Sequence, residues 1–328
     1  MGVAERALLA PDSFKGTLSA ATVAAVLASG FEEVGWEVDR CPLADGGEGT
    51  GEVLLDALGG EWREVEAHDP LGRPIRASFA LVDRRRMAVV EVAAASGLNL
   101  VAEHERDPES ASSAGTGELL VAAARSAGTV LLGVGGSATT DGGAGATAAI
   151  DAGGGLGATR LVCLCDVRTP WEDAARTFAP QKGAGGAEVE RLSERMERLA
   201  RELPRDPRGQ PMTGAAGGLA GGLWARFGAE LVPGAAFVLD AVGFDRRAGR
   251  ATLVVTGEGR LDATTLEGKV AGEVARRCRR LGVAVHAVAG AVVDEPDLPE
   301  RIGLDSVHPA RTEDDLRAVA RELAVQSP

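Results

Sequence analysis

Short apolar runs that end in glycine-rich turns and lead into helical patterns recur along the chain, and this recurrence limits the possible folds most. Arg6–Pro11 reads as a strand ending in Pro-Asp-Ser, with an amphipathic helix over residues 18–34. Residues 38–43 form a second strand, followed by Ala44-Asp45-Gly46-Gly47-Glu48-Gly49-Thr50 and a helix through Leu58. Strand, loop and helix in alternation predict an α/β fold with parallel pairing. The next region breaks the pattern. Residues 64–68, 74–82 and 87–92 read as strands without helices between them, the last two joined by a polar turn at 83–86. That predicts an antiparallel element and a change of domain. Helices at 115–127, 141–152 and 187–203 then alternate with strands at 129–134 and 161–167, and the loop 204–211 is linker-like. A glycine- and alanine-rich helix is expected at 213–227, and the βα pattern returns from residue 252 to the end of the chain. The expected organisation is a discontinuous domain of residues 1–66 and 240–328, carrying an inserted mixed α/β domain at 67–239; 328 residues suit two domains.

Composition excludes several classes of function. The chain holds 35 basic and 48 acidic residues, a net charge of −13, and only 3% aromatics, which disfavours nucleic-acid binding. No apolar run approaches the roughly 18–20 residues of a membrane helix, and no secretory leader is evident. The four cysteines, Cys41, Cys163, Cys165 and Cys278, show neither CxxC spacing nor a disulfide framework, so they read as reduced core residues of a cytoplasmic protein. Four histidines without an HExxH motif argue against a zinc hydrolase.

Two residue types stand out. Glycine is 45 of 328 residues, about twice the usual ~7%. Lysine occurs only as Lys15, Lys182 and Lys269, a pattern expected of GC-rich coding that replaces Lys by Arg wherever either serves. Each remaining lysine touches a glycine. An ammonium is a compact point charge suited to phosphate oxygens, so these three are candidates to meet an anionic ligand.

Four glycine loops sit at predicted strand ends, where open α/β sheets bind ligands: residues 11–16, 45–50, 135–143 and 256–262. Glycine lets backbone N–H groups approach a phosphate, and a following helix N-terminus adds a favourable dipole. Carboxylates beside such loops suit Mg²⁺. Two familiar fingerprints fail. Gly133-Val134-Gly135-Gly136-Ser137-Ala138 fits GxGxxA, yet the acidic residue further on, Asp151, falls in a predicted helix rather than at a strand end. Gly268-Lys269-Val270 lacks both the earlier glycine and the following Ser/Thr of a P-loop.

Taken together, the segments 10–16, 44–50, 91–98 (EVAAASGL), 115–119, 135–145, 165–167, 180–184 (PQKGA), 214–218, 228–231 and 256–262 with 268–270 resemble the type 1 bacterial glycerate kinases, in order along most of the chain. All three lysines fall inside them. The resemblance implies ATP- and Mg²⁺-dependent phosphorylation of D-glycerate, with 2-phosphoglycerate the favoured product. It also implies a Rossmann- or flavodoxin-like domain built from both chain ends plus an inserted α/β domain. The expected partner is a small-molecule substrate, with no nucleic acid and no membrane, and a homo-oligomer is left open. The chain departs from that pattern at Thr140 and Thr169, where Asn is common in relatives, and at Ala271, where Pro is common. Residues 171–177 form a shorter, glycine-free loop. These departures keep open a kinase for another small hydroxy acid, or a non-catalytic nucleotide- or metabolite-binding relative.

Under this resemblance, Lys15 and Arg260 hold anionic groups, either the acid's carboxylate or the transferred phosphoryl, and Asp45 or Asp166 orients or deprotonates the attacking hydroxyl. Asp12, Glu48, Asp141 and Asp262 are candidates for Mg²⁺ or for bonding loop N–H groups. Ser13, Gly46, Gly47, Gly135, Gly136 and Ser137 approach the nucleotide, with Lys182 and Lys269 as charge partners. Phosphoryl transfer asks mainly for such positioning and charge neutralisation.

Overall fold

The computed structural model describes residues 5–14, 16–82, 86–293, 295 and 297–326. In chain order the strands are β1 (Arg6–Pro11), β2 (Glu37–Arg40), β3 (Glu61–His68), β4 (Pro74–Val82), β5 (Met87–Glu91), β6 (Thr129–Gly133), β7 (Arg160–Cys165), β8 (Glu230–Pro233), β9 (Leu253–Leu261), β10 (Ala284–Val292) and β11 (Ser306–Pro309). The chain divides into two compact units, Met1–Asp45 with Ala235–Pro328, and Gly46–Gly234. No helix among the described residues is long and apolar enough to cross a membrane.

The unit built from both chain ends holds a sheet of order β11-β10-β9-β1-β2, all parallel. Numbered within the unit, this is the doubly wound order 2-1-3-4-5, whose direction reverses between β1 and β9. β1 is buried from Ala7 to Pro11, as expected of a parallel strand covered on both faces, and it reads as a continuous apolar run. Helices Ala20–Glu32 and Glu313–Gln326 share one core through Val23, Leu27, Phe31, Leu316 and Leu323. Ser19 starts the first of them, its hydroxyl accepting from the Thr22 N–H at 3.2 Å. Gly30 lets the two helices touch; a Cβ there would lie 2.6 Å from the Arg317 carbonyl oxygen.

The second unit holds a mixed sheet of order β3-β4-β5-β6-β7-β8. Its β3-β4-β5 portion is antiparallel and the rest parallel. This is the α/β class expected from the order of elements. The boundary expected at residue 66 would cut β3, which pairs with β4 along its whole length, and the one expected at 239/240 would cut helix Gly234–Ala241. The loop 204–211 lies inside the second unit rather than between units. The expected loop 171–177 is helical: a turn at Trp171–Asp173 and helix Ala174–Phe178. Trp171 is fully buried against Met196 of helix Gly186–Glu202, and its indole N–H donates to the Met196 carbonyl at 2.9 Å. The expected helix over 213–227 begins only at Leu219, after positive φ at Ala216, Gly217 and Gly218.

Candidate active site

The carboxyl ends of β1, β9 and β10 frame a cavity of about 410 Å³ in the first unit, at the point where the strand order reverses. Asp12, Ser13, Asp45, Glu258, Arg260 and Lys269 line it, with Phe14, Thr17 and Arg311. Five of the residues predicted for the site are therefore brought together here: Asp12, Ser13, Asp45, Arg260 and Lys269. Lys15 lies outside the described residues.

Segment 256–262 is the element that builds the cavity, and here the structure corrects the expectation of a loop. β9 runs on to Leu261, and its register with β10 holds through Ala291↔Arg260 and Val292↔Leu261. Glycine survives in this strand because neighbours occupy its Cβ space. A Cβ on Gly257 would meet Val288 at 2.6 Å, and one on Gly290 would meet the Gly259 carbonyl oxygen at 2.8 Å. The alternation of a strand then puts Glu258 and Arg260 on one side.

Glu258 is 7% exposed. Its Oε1 accepts from the Thr265 hydroxyl at 2.7 Å, and its Oε2 lies 3.9 Å from Lys269 Nζ. Burial pushes its carboxyl up to about 7; the Thr265 hydrogen bond and Lys269 oppose this, while Asp262 and Asp45 reinforce it. Lys269 is the residue before helix Val270–Leu281. Gly272 in that helix's first turn lets the 263–267 turn sit against it, since a Cβ would lie 2.2 Å from the Thr265 carbonyl. Arg260 is largely exposed, with Nε 3.4 Å from the half-buried Asp262. Asp12 and Asp45 are both buried, and Asp12 Oδ1 accepts from the Ser13 N–H at 2.6 Å.

Apart from Asp262, which stands beside Arg260 in the first unit, the remaining predicted residues belong to the second unit. The loops containing Gly46–Gly47 and Gly133–Gly135 pack backbone against backbone. A Cβ on Gly133 would sit 2.6 Å from the Gly46 carbonyl oxygen, and one on Gly135 would sit 2.7 Å from Gly47 Cα. Glu91, at the end of β5, accepts from the Gly51 N–H at 2.8 Å and the Gly49 N–H at 3.3 Å, so it anchors the start of helix Thr50–Leu58. Burial raises its pKa against those two hydrogen bonds. Glu48 is exposed, and Asp166 is half-buried just beyond β7.

The third loop is tied down internally. The Gly136 carbonyl accepts from Leu98 N, and the amides of Ala138, Thr139, Gly142 and Gly143 all donate within the protein. Ser137 Oγ bonds Thr139. The carboxylate of Asp141 is saturated by four donors: Ser113 Oγ at 2.7 Å, and the N–H groups of Ser113, Gly143 and Gly145 at 2.9, 2.9 and 3.1 Å. Of the two alternatives held for Asp141, Mg²⁺ or loop N–H groups, these bonds are of the second kind, and they leave little capacity for a metal. Lys182 is buried, its ammonium donating to the Thr139 carbonyl oxygen, and burial lowers its pKa to about 7 despite the pull of Asp141. Lys182 thus holds the loop from within.

Among the described residues no group of three or more His, Cys, Asp or Glu could hold a metal ion. Mg²⁺ does not require one, because it is commonly bound by one or two carboxylates plus substrate phosphates and water. Asp12 and Asp45, two buried carboxylates on one cavity, fit that mode. Two charged residues of the cavity, Glu258 and Arg311, received no role from the sequence. Glu258 lay within a quoted motif, and its signal was an acid flanked by glycines at a strand end. Arg311 stands in Pro-Ala-Arg-Thr, which carries no signal.

The profile of the "Glycerate kinase family" matches residues 7–154 and 154–324. A glycerate kinase of Halalkalibacterium halodurans is 38% identical over 323 residues, covering 87% of this chain and 85% of that protein. The glycerate 2-kinase of Escherichia coli K12 is 36% identical over 338 residues, covering 92% and 89%. A crystal structure from Salmonella typhimurium LT2, provisionally named glycerate kinase 2, superposes with a TM-score of 0.83 at 35% identity and covers 98% of both chains.

Proposed function

The chain belongs to the glycerate kinase family, and from that premise we propose that it transfers the γ-phosphoryl group of ATP to a hydroxyl of D-glycerate, with Mg²⁺, as a type 1 enzyme yielding 2-phosphoglycerate. The observation that carries the reading is Glu258, a buried carboxyl poised near pH 7 beside Lys269 in a cavity at the sheet's reversal point.

A general base works best when its pKa lies near the working pH. In this reading Glu258, rather than Asp45 or Asp166, accepts the proton of the attacking hydroxyl. Thr265 fixes Oε1, so Oε2 is the oxygen that faces substrate. Lys269 and Arg260, with Lys15, neutralise charge on the transferred group. Asp12 and Asp45 would hold Mg²⁺, which when bound offsets charge on the phosphates. The four cysteines are free and buried, which supports a reducing, cytoplasmic setting.

The test is ATP- and Mg²⁺-dependent turnover of D-glycerate, read as ADP release and, in parallel, by enolase without added phosphoglycerate mutase. Both signals are expected. ADP without an enolase signal would move the product to the 3-phosphate. No ADP, with nucleotide binding still visible as a thermal shift, would refute the kinase and leave a nucleotide-binding relative.

A further inference from the structure

Three described cationic side chains line the cavity of the first unit, and they are not equivalent. Arg260 has Asp262 at 3.4 Å and Lys269 has Glu258 at 3.9 Å. Among the described residues no carboxylate lies within ion-pair distance of the Arg311 guanidinium. Its Nε donates to the Gly290 carbonyl oxygen at 3.3 Å, and neither Nη has a hydrogen-bond partner among those residues. The backbone beneath it is fixed: the N–H groups of Arg311 and Thr312 both donate to Asp315 Oδ2, at 2.9 and 3.0 Å. The fork is therefore anchored at its root and at Nε, with its two Nη groups at an exposed mouth.

The anchor also sets where the fork lies. Gly290 stands between Ala289, which pairs with Glu258, and Ala291, which pairs with Arg260. Gly290 thus belongs to the strand next to the one that carries Glu258, about 4.8 Å away from it. A hydroxy acid held at both ends needs about 8 Å from the base oxygen to the guanidinium nitrogen, from two hydrogen bonds and the short separation of hydroxyl and carboxylate oxygens. A planar fork whose two Nη groups are unengaged matches a carboxylate bidentately through that end.

We propose that Arg311 binds the carboxylate of the acceptor acid and so selects hydroxy acids over neutral polyols. The inference rests on the reading of this cavity as the acceptor site of a glycerate kinase. Steady-state kinetics of wild type, Arg311→Ala and Arg311→Lys test it, with D-glycerate and its neutral analogue glycerol as acceptors. In Arg311→Ala the KM for glycerate should rise roughly 10- to 100-fold. The KM for ATP should stay within twofold, and turnover of glycerol should be unchanged, so the preference for the acid falls by the same factor. Arg311→Lys should recover part of the loss, because it restores the charge without the fork. Thermal melting of both variants should match wild type, since Arg311 is exposed. A glycerate KM within twofold of wild type overturns the proposal. So does a rise confined to the KM for ATP, which would assign Arg311 to a donor phosphate. If wild type shows no turnover, the kinase reading fails by itself. Calorimetric titration of D-glycerate into wild type and Arg311→Ala then reads the site directly: weaker binding by the variant upholds it, and equal binding, or none by either, overturns it.

Discussion

Glu258→Gln separates the stability of the cavity from its chemistry. The substitution keeps an acceptor for the Thr265 hydroxyl and removes the charge. In the folded protein burial holds this carboxyl near 7, against an ordinary value of 4.5. At 1.36 kcal/mol per pH unit, the difference costs the native state about 3 kcal/mol once the group is ionised in both states. The sign follows from proton counts. Between pH 4.5 and 7 the native state holds more of this proton than the unfolded chain does, so the contribution of Glu258 to wild-type stability falls as pH rises through that window and levels off above it. The variant has no such proton. Its advantage over wild type should grow from about 1 kcal/mol at pH 5 to about 3 kcal/mol at pH 8.5. Urea denaturation of both proteins at the two pH values measures this directly. Parallel stability curves would show that Glu258 titrates like an exposed carboxylate.

The same variant should lose about 10²- to 10⁴-fold in kcat, the usual contribution of a positioned general base. Wild-type kcat should fall below about pH 7 as Glu258 becomes protonated. A variant that gains stability at high pH while keeping full turnover would leave the pKa argument intact and remove Glu258 from the proton transfer.

Asp141→Ala should destabilise the protein by roughly 3 kcal/mol in chemical denaturation, because four donors, three of them buried, lose their acceptor. Gly135→Ala brings a Cβ to 2.7 Å from Gly47 Cα and should cost about 1–3 kcal/mol by the same assay, with the loops forced apart. Lys182→Met should remove a pH dependence of opposite slope to that of Glu258. The folded lysine binds its proton less tightly than the unfolded one, so wild-type stability rises between about pH 7 and 10.5. Thermal melts of the variant should lack that rise.

Long elements were legible in the sequence because burial and pattern agreed. β1 and β4 coincide with the strands expected there, as does the mixed character of the second sheet. Of the four-residue strands, β2 (Glu37–Arg40) was read, at 38–43, whereas β8 and β11 were not, since pieces so short carry little periodicity. Segment 256–262 misled for a physical reason. Glycine usually weakens a strand, and here its bareness is filled from the next strand by Val288 and by the close Gly259–Gly290 approach. That error about local structure also hid the meaning of Glu258, which reads as a turn acid in a loop and as a buried, aligned carboxyl in a strand. Arg311 was unreadable, since its role depends on β10 and β11 lying side by side.

The lysines show what scarcity in a sequence measures. If arginine replaces lysine wherever either serves, the residues that remain mark places where a guanidinium will not do. Lys269 meets that demand in the cavity, at 3.9 Å from Glu258, where a compact charge lowers a neighbour's pKa without filling the space. Lys182 meets it in the core, where a buried ammonium reaches one carbonyl and a larger fork would need room and further acceptors. The shared constraint is compactness, and an anionic ligand is only one way to impose it. The glycines of the second unit obey the same logic. Gly46 is required by the backbone and Cβ of Leu164 in β7, and Gly133 and Gly135 by the Gly46–Gly47 backbone, and each contact demands a bare Cα as strictly as a phosphate does. A motif of glycine and lysine therefore identifies close approach, and what approaches has to be read from the neighbours that the fold supplies.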